Sequence, residues 1–407
     1  MIKNTSRRNF LRGLSAISPL CYFSAHAASI NPKIIKTPDY FKALGVESFI
    51  NAVGPYSSLG GAKMWPEVIE AMDYAITHKA KMADLHNATG KRIAEMLGAE
   101  AAIVTSGATG AIIQGTAGCM TMGDSDKNER LPDTTGMKNE VIILKNQRYL
   151  YDRSIRAPGA ILVEINNLEE LPNAINKKTA MLFYLLNRPD IENIDIETYI
   201  TIAKHHEIPI MCDAATTVPP VKRIAATIKH GFDLVCYSGG KGLRGPYSAG
   251  LLLGRKDLVE YAKQHGSPNH RAYGRSMKVA PEEYLGMMIA VETSLKYDEK
   301  AEFNRQRKTV KFMQAQLAII PGITITINQP DFEASEPYIE IQWDKRYQIT
   351  PKELKEKLRH GAPSIEIRAL FLSQGNIHLT AVMLTMSEAQ IVVQRINTIL
   401  QKSLIES

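Results

Sequence analysis

The chain has 407 residues, of which 44% are hydrophobic and 22% charged, with its glycines and prolines dispersed rather than gathered into a biased tract. That length exceeds what one hydrophobic core supports, so two domains are the default, and the composition excludes fibrous, disordered and tandem-repeat classes. The formal charge of +7 does not mark a nucleic-acid binder: Lys3, Arg7, Arg8 and Arg12 supply four of those charges in an acid-free N-terminal dozen, leaving +3 elsewhere.

Those first residues read as an address. Ser6-Arg7-Arg8-Asn9-Phe10-Leu11-Arg12 resembles a bacterial twin-arginine export signal. A weakly apolar stretch, Gly13 to Ser24, follows it, and then the small-x-small site Ala25-His26-Ala27. Residues 1–27 are therefore expected to be a signal peptide, with the mature chain periplasmic. Pro19 and the short apolar stretch argue against a bilayer span, and no other long apolar run supplies a membrane anchor. Cys119, Cys212 and Cys236 remain after the leader, too few for a disulfide framework; Cys212 and Cys236 lie in apolar runs and are expected to be buried small hydrophobes.

Residues 28–60 read as an irregular N-terminal arm. Helical spacing then appears over Trp65 to His78, with Pro66 in the first turn, and over Thr89 to Leu97, ending at Gly98. Next comes an alternation. Ala101 to Thr105 is a strand, Ser106 to Gly110 a glycine-rich turn, and Ala111 to Met120 a helix of small residues. Val141 to Leu144, Ile161 to Val163, Met181 to Leu185, Ile208 to Cys212, Leu234 to Tyr237 and Ala249 to Leu253 are unbroken apolar runs, with a helix at Ile196 to His205. Buried runs separated by helices predict a mainly parallel sheet covered on both faces, in a large domain over residues 61–270. Residues 271–300 form a connecting helical segment that includes a helix over Pro281 to Leu295. A smaller α+β domain is predicted over residues 301–407, with a helix over Glu302 to Leu317. Its strands are at Tyr338 to Trp343, Ser364 to Leu370 and Ile377 to Thr380, before a helix from Ser387 to Lys402.

Three elements carry chemistry. Asp213 closes the run Ile208 to Cys212, at the carboxyl end of a buried strand, where open α/β sheets place their ligands. A buried carboxylate there needs a cationic partner, and a protonated pyridine nitrogen would serve; a helix cap, or a metal shared with His205 and His206, is the alternative. Lys241 stands in Ser238-Gly239-Gly240-Lys241-Gly242-Leu243-Arg244-Gly245-Pro246, directly after another buried strand. Flanking glycines permit close backbone approach, and an amine partly desolvated near Arg244 is poised to form an imine; a phosphate loop built from the same glycines is the alternative. Between strand and helix, Thr105-Ser106-Gly107-Ala108-Thr109-Gly110 offers backbone N–H groups and the Ser106 and Thr109 hydroxyls to an anion, without the endings of a nucleotide or dinucleotide loop.

In that order, with 28 residues from Asp213 to Lys241, the three elements resemble the fold-type I pyridoxal 5'-phosphate enzymes. Within them the chain is similar to the selenocysteine synthase-related family, in motif above all to its D-glucosaminate-6-phosphate ammonia-lyase-like members. Further resembling stretches are Ile50 to Tyr56, Leu59 to Gly61, Ile103 to Ala108, Cys212 to Ala215 and Gly250 to Leu258, and the resemblance covers about Gly45 to the C-terminus. It implies an aspartate aminotransferase-like α/β fold with pyridoxal 5'-phosphate as cofactor. Lys241 would be the Schiff-base lysine and Asp213 the partner of the ring nitrogen. Ser106, Gly107, Ala108, Thr109 and Ser238 would gather around the phosphate. Arg368, with Tyr56 and Arg244, is expected at the substrate. A residue of the loop Gln147-Arg148-Tyr149 is expected against the ring face, or else that loop is simply solvated.

The implied reaction is removal of an α-proton from an amino acid or amino sugar acid and β-elimination to a 2-oxo acid and ammonia. Racemisation and aldol cleavage are alternatives, as are a selenium transferase-like activity and a non-catalytic scaffold. An exported protein meets neither charged tRNA nor a cytoplasmic phosphorylated sugar acid, which points to an unphosphorylated substrate. The partners expected are a small amino substrate and a second copy of the chain, at least a homodimer. The arm at Tyr56 and the segment Gly266 to Met277 (His270, Arg271, Tyr273, Arg275, just after His265) would be in contact; no nucleic acid is expected.

Overall fold

The computed structural model describes residues 38–186, 195–328, 336–368 and 375–404. The expected signal peptide lies outside the described residues, as do the last two residues of the strand predicted to end at Leu370. The chain divides into two compact units, residues 1–47 and 48–407. Of the first, the described residues hold one short helix, Tyr40–Ala43, capped by the Asp39 side chain, which accepts from the Lys42 N–H. All that follows concerns the second unit.

Its described strands are β1 (Phe49–Asn51), β2 (Ala101–Ser106), β3 (Glu140–Leu144), β4 (Ile161–Ile165), β5 (Thr179–Leu185), β6 (Ile210–Asp213), β7 (Leu234–Ser238), β8 (Ala249–Gly254), β9 (Ile323–Asn328), β10 (Tyr338–Trp343), β11 (Ser364–Glu366) and β12 (Ile377–Thr380). Seven of them form one sheet in the order β2-β8-β7-β6-β5-β3-β4, in which β8 alone runs antiparallel to its neighbours. Alternate side chains of each strand enter opposite apolar layers: Ile142, Leu182, Cys212 and Val235 belong to one, and Ile143, Phe183, Met211 and Cys236 to the other. Both faces are therefore buried, which is why these strands read as unbroken apolar runs. Helices Pro66–Thr77, Met82–Leu97 and Pro281–Lys296 pack on the first face, and Gly107–Thr121 and Lys256–Gln264 on the second.

A smaller C-terminal α+β part has an apolar core of its own, built from the antiparallel sheet β12-β10-β9 and helices Glu299–Ala318, Pro351–Arg359 and Met386–Gln401. Strand β9 was not among the expected elements. It is a two-sided strand, with Ile323, Ile325 and Ile327 against that core while Thr324, Thr326 and Asn328 are exposed. The N-terminal arm is less irregular than expected, because β1 pairs in parallel with β11 and Ile50 and Ala52 enter the same core. Met82–Leu97 begins seven residues before its predicted start, since its first turns carry the polar Asp84, His86 and Asn87 and mask the apolar period.

Candidate active site

The parallel strands β2, β7, β6, β5 and β3 end along one edge of the large sheet, and the expected chemistry converges there. Register fixes it: Thr105 of β2 and Ser238 of β7 both pair with Gly250 of β8, and Asp213 of β6 pairs with Cys236 of β7. Residues distant in sequence thus stand a strand or two apart.

Strand β2 turns into the helix Gly107–Thr121 through Gly107, whose φ of +68° is a left-handed conformation that glycine adopts at little cost. Gly250 lets the turn settle against the sheet, because a Cβ there would lie 2.3 Å from the Gly107 carbonyl carbon. The helix N-terminus carries no side-chain cap, and the hydroxyls of Ser106, Thr109 and Ser238 are uncommitted to protein partners among the described residues. Unfilled N–H groups, a positive helix end and free hydroxyls suit a phosphate.

Asp213 is buried and its carboxylate is well supplied with donors. Tyr149 Oη donates to Oδ2 at 2.6 Å, the Ala215 N–H to Oδ1 at 3.0 Å, and Cys236 Sγ lies 3.5 Å from Oδ1. Burial first, and then the Asp213 charge, hold the Tyr149 phenol and the Cys236 thiol well above their ordinary pKa ranges, so both remain donors. A carboxylate has about four lone-pair positions; three are used here, and one is left for a ring nitrogen.

Lys241 follows in the turn after β7. Its glycines work as expected: a Cβ on Gly242 would fall 1.9 Å from the Val218 carbonyl oxygen, and one on Gly240 would fall 2.8 Å from the Tyr247 backbone. The amine makes no hydrogen bond or ion pair with the protein among the described residues. Burial lowers its pKa below 10.5, and the Asp213 charge opposes that shift without cancelling it. Lys241 and Asp213 line one cleft of about 780 Å³ together with Tyr149, Ala215, Thr216, Leu185 and Leu186. An open phosphate cradle, a buried carboxylate with room for one more donor and an unpartnered half-buried amine fit pyridoxal phosphate. Lys241 would take its aldehyde, Asp213 its ring nitrogen, and residues 106–109 with Ser238 its phosphate.

The arm lies along the lysine loop: the Ala62 N–H donates to Gly240 O at 2.8 Å and Tyr247 Oη to Ser57 O at 2.8 Å. Two expected substrate residues meet beside it, with the Arg368 guanidinium 5.9 Å from the centre of the Tyr56 ring. Arg368 Nη2 is 3.2 Å from Glu336 Oε1, and its buried Nε has no partner among the described residues. Arg244 is placed otherwise than expected. Its guanidinium lies 3.6 Å over the Trp65 ring and its Nε donates to Lys63 O at 2.8 Å, so it buttresses the lysine loop; like Tyr56 and Arg368, it is not among the residues that line the cleft.

Of the loop after β3, Gln147 turns inward and accepts from the Leu185 N–H at 2.9 Å, and Arg148 pairs with Asp152 and Glu164. Tyr149 is the residue that enters the site. Its bond to Asp213 was not foreseen, and neither was the polar use of Cys236; both depend on neighbouring strands meeting in register. His265 is buried with Nε2 2.9 Å from Thr121 Oγ1, and Arg271 pairs with Glu129 at 2.6 Å. No group of three or more histidine, cysteine, aspartate or glutamate side chains could hold a metal among the described residues, and no helix there is long and apolar enough to cross a membrane.

Comparison with known proteins agrees with this geometry. The profile of a family described as Cys/Met metabolism PLP-dependent enzymes matches residues 79–277. D-glucosaminate-6-phosphate ammonia lyase of Salmonella typhimurium is 27% identical over 380 residues, 89% of this chain and 98% of its own. A 5'-C-glycyluridine monooxygenase-decarboxylase of a Streptomyces species is 28% identical over 374 residues, 88% of this chain and 92% of its own. A solved structure of D-glucosaminate-6-phosphate ammonia-lyase superposes with a TM-score of 0.79 at 26% identity, covering 90% of this chain and 99% of that one.

Proposed function

Because the chain is a fold-type I pyridoxal 5'-phosphate enzyme, we propose that it is a lyase. It removes the α-proton of an amino acid or amino sugar acid, expels a group from Cβ and releases a 2-oxo acid and ammonia. The observation that carries this reading is the unpartnered Lys241 amine, depressed in basicity by burial and sharing a cleft with Asp213, in a chain similar over nearly its whole length to an ammonia lyase. When bound, pyridoxal phosphate withdraws electrons from the substrate α-carbon and stores the charge left by the departing proton.

The protein's own groups do the rest. Lys241 Nζ, once released by the substrate amine, is the base for the α-proton, and its lowered pKa brings it towards the range where a base is effective. As an ammonium it can return that proton to a β-hydroxyl, which leaves as water; a later water frees ammonia. Arg368 offers a guanidinium to the substrate carboxylate, displacing Glu336, with the Tyr56 ring packed beside it. Asp213, held by three donors, is fixed in position to accept from the ring nitrogen.

The same reading makes the protein an exported periplasmic enzyme and at least a homodimer. In support of the dimer, Leu150, 87% exposed, and the exposed Tyr151 present apolar surface where they line the cleft. The arm at Tyr56 and the segment Gly266 to Met277 would supply contacts, which sedimentation of the purified protein tests. The decisive experiment for function is a visible spectrum with and without borohydride, beside Lys241→Ala. A band that borohydride removes and the variant lacks is expected, and no band after reconstitution overturns the reading. D- and L-amino acids, scored separately for 2-oxo acid, ammonia, stereochemical inversion, aldehyde and oxygen uptake, then separate elimination from racemisation, aldol cleavage and oxidative decarboxylation.

A further inference from the structure

The buried Asp213 carboxylate is held by neutral groups only. Tyr149 Oη lies 2.6 Å from Oδ2, while the Ala215 N–H, at 3.0 Å, and Cys236 Sγ, at 3.5 Å, both reach Oδ1. No lysine or arginine pairs with it among the described residues, and Lys241 shares the cleft without forming an ion pair. Hydrogen bonds thus support its charge and leave it uncompensated.

The donors divide unequally between the two oxygens. Each carboxylate oxygen has about two lone-pair positions. Oδ1 has both in use and Oδ2 only one, so a ring nitrogen finds room at Oδ2, the oxygen that Tyr149 already holds. Tyr149 is anchored there by its backbone N–H on Asp152 and its ring beside Phe183. Cys236 is fixed by the pairing of β7 with β6, which sets it opposite Asp213. Neither the hydroxyl nor the thiol has another hydrogen-bond partner among the described residues.

A buried carboxylate facing a pyridine nitrogen has two states. In one the nitrogen holds the proton and the pair is ionic. In the other the N–H bond breaks, an O–H bond forms on the carboxyl group and both charges vanish. Burial favours the neutral pair, because two charges taken out of water are costly. Donors on the carboxylate favour the ionic pair, because they bind the anion better than the acid. Burial, with the Asp213 charge adding to it, keeps the phenol and the thiol protonated, so both stay donors.

We propose that Tyr149 and Cys236 are positioning residues that keep the proton on the ring nitrogen of bound pyridoxal phosphate, Tyr149 more strongly because it shares Oδ2. This rests on Asp213 as the partner of the ring nitrogen and deepens the lyase reading. The pull on the substrate α-carbon follows the charge on the ring, and these two side chains set that charge.

The test is NMR of the ring nitrogen, in protein loaded with isotope-labelled pyridoxal phosphate at neutral pH, where protonated and neutral rings resonate apart. The parent is expected at the protonated position. Tyr149→Phe should move the resonance towards the neutral position, Cys236→Ala less far, and the double variant furthest. Cys236→Ser, which keeps a donor, should restore the parent position. A purely structural role would lower Tm and leave the resonance in place, so Tm is read on every variant. A parent at the neutral position, or an unmoved resonance in the double variant, overturns the inference. Asp213→Asn distinguishes the two failures, with the borohydride-sensitive band showing that each sample is loaded. If it leaves the resonance protonated, Asp213 is not the ring's partner and both readings fall. If it gives the neutral position while the double variant keeps the parent's, only this inference falls.

Discussion

The Tyr149 hydroxyl donates to Asp213 Oδ2 at 2.6 Å and ties the loop after β3 to the end of β6. Tyr149 is itself held, by its backbone N–H donating to Asp152 Oδ2 and by its ring stacked 6.3 Å from Phe183. In the cofactor-free protein this bond supplies a buried carboxylate with a strong donor; a bound ring nitrogen would supply another.

Removal of that hydroxyl should therefore harm the empty protein more than the loaded one. Tyr149→Phe is expected to destabilise the cofactor-free protein by about 1–3 kcal/mol, the cost of a buried carboxylate losing a donor. The loss should be smaller with pyridoxal phosphate present. Thermal denaturation with and without cofactor checks this: the gain in Tm on loading should be larger in the variant than in the parent.

Lys241 makes stability depend on alkaline pH in the cofactor-free protein. Its folded-state pKa lies below the unfolded value of 10.5, so the unfolded chain holds the extra proton between the two values. Stability then rises with pH across that window and levels off above 10.5. Lys241→Met, which never carries the charge, should be more stable than the parent at neutral pH, and its advantage should shrink as pH rises through the window. Denaturant titrations of both proteins at several pH values measure it.

Two buried histidines act at the acid end. Burial lowers His86, helped by the Lys263 charge, and His265 to about 4. Each takes its proton in the unfolded chain near 6.5 and in the folded chain only near 4, so stability is lost as pH falls between those values. The loss is at most about 3 kcal/mol for each histidine. His265→Gln should flatten this limb, because glutamine can still meet Thr121 and does not titrate; urea unfolding from pH 7 to 4 reads it.

Gly250→Ala tests the phosphate cradle. Its new Cβ would press on the Gly107 carbonyl carbon and must push the turn off the sheet. Overpacking against backbone is expected to cost about 1–3 kcal/mol of stability and to weaken cofactor binding at least tenfold, as followed by fluorescence titration.

Much of the architecture was legible from residue patterns because both layers of the large sheet demand unbroken apolar strands. Runs such as Val141 to Leu144 and Leu234 to Tyr237 announced themselves, and Asp213 stood out as a polar residue immediately after such a run and Lys241 as a lysine in the glycine-rich turn after another. Strand β9 escaped notice because its isoleucines alternate with threonines on an exposed face, a weaker signal than a continuous run.

By themselves, the residues of this chain determined the parallel α/β fold and singled out the three segments and the lysine proposed to hold the cofactor, because each depends on short-range order: an apolar run, a glycine, a polar residue beyond its end. Tertiary structure alone decided which side chains surround Asp213, since Tyr149 and Cys236 reach it only through the register of β6 with β7 and the return of the loop after β3. It likewise laid Arg244 over the Trp65 ring and set Arg148 against Asp152 and Glu164. The physical reason is the same in each case. A side chain's partner is fixed by which strand or turn packs beside it, and that choice belongs to the whole sheet and not to any segment of the sequence.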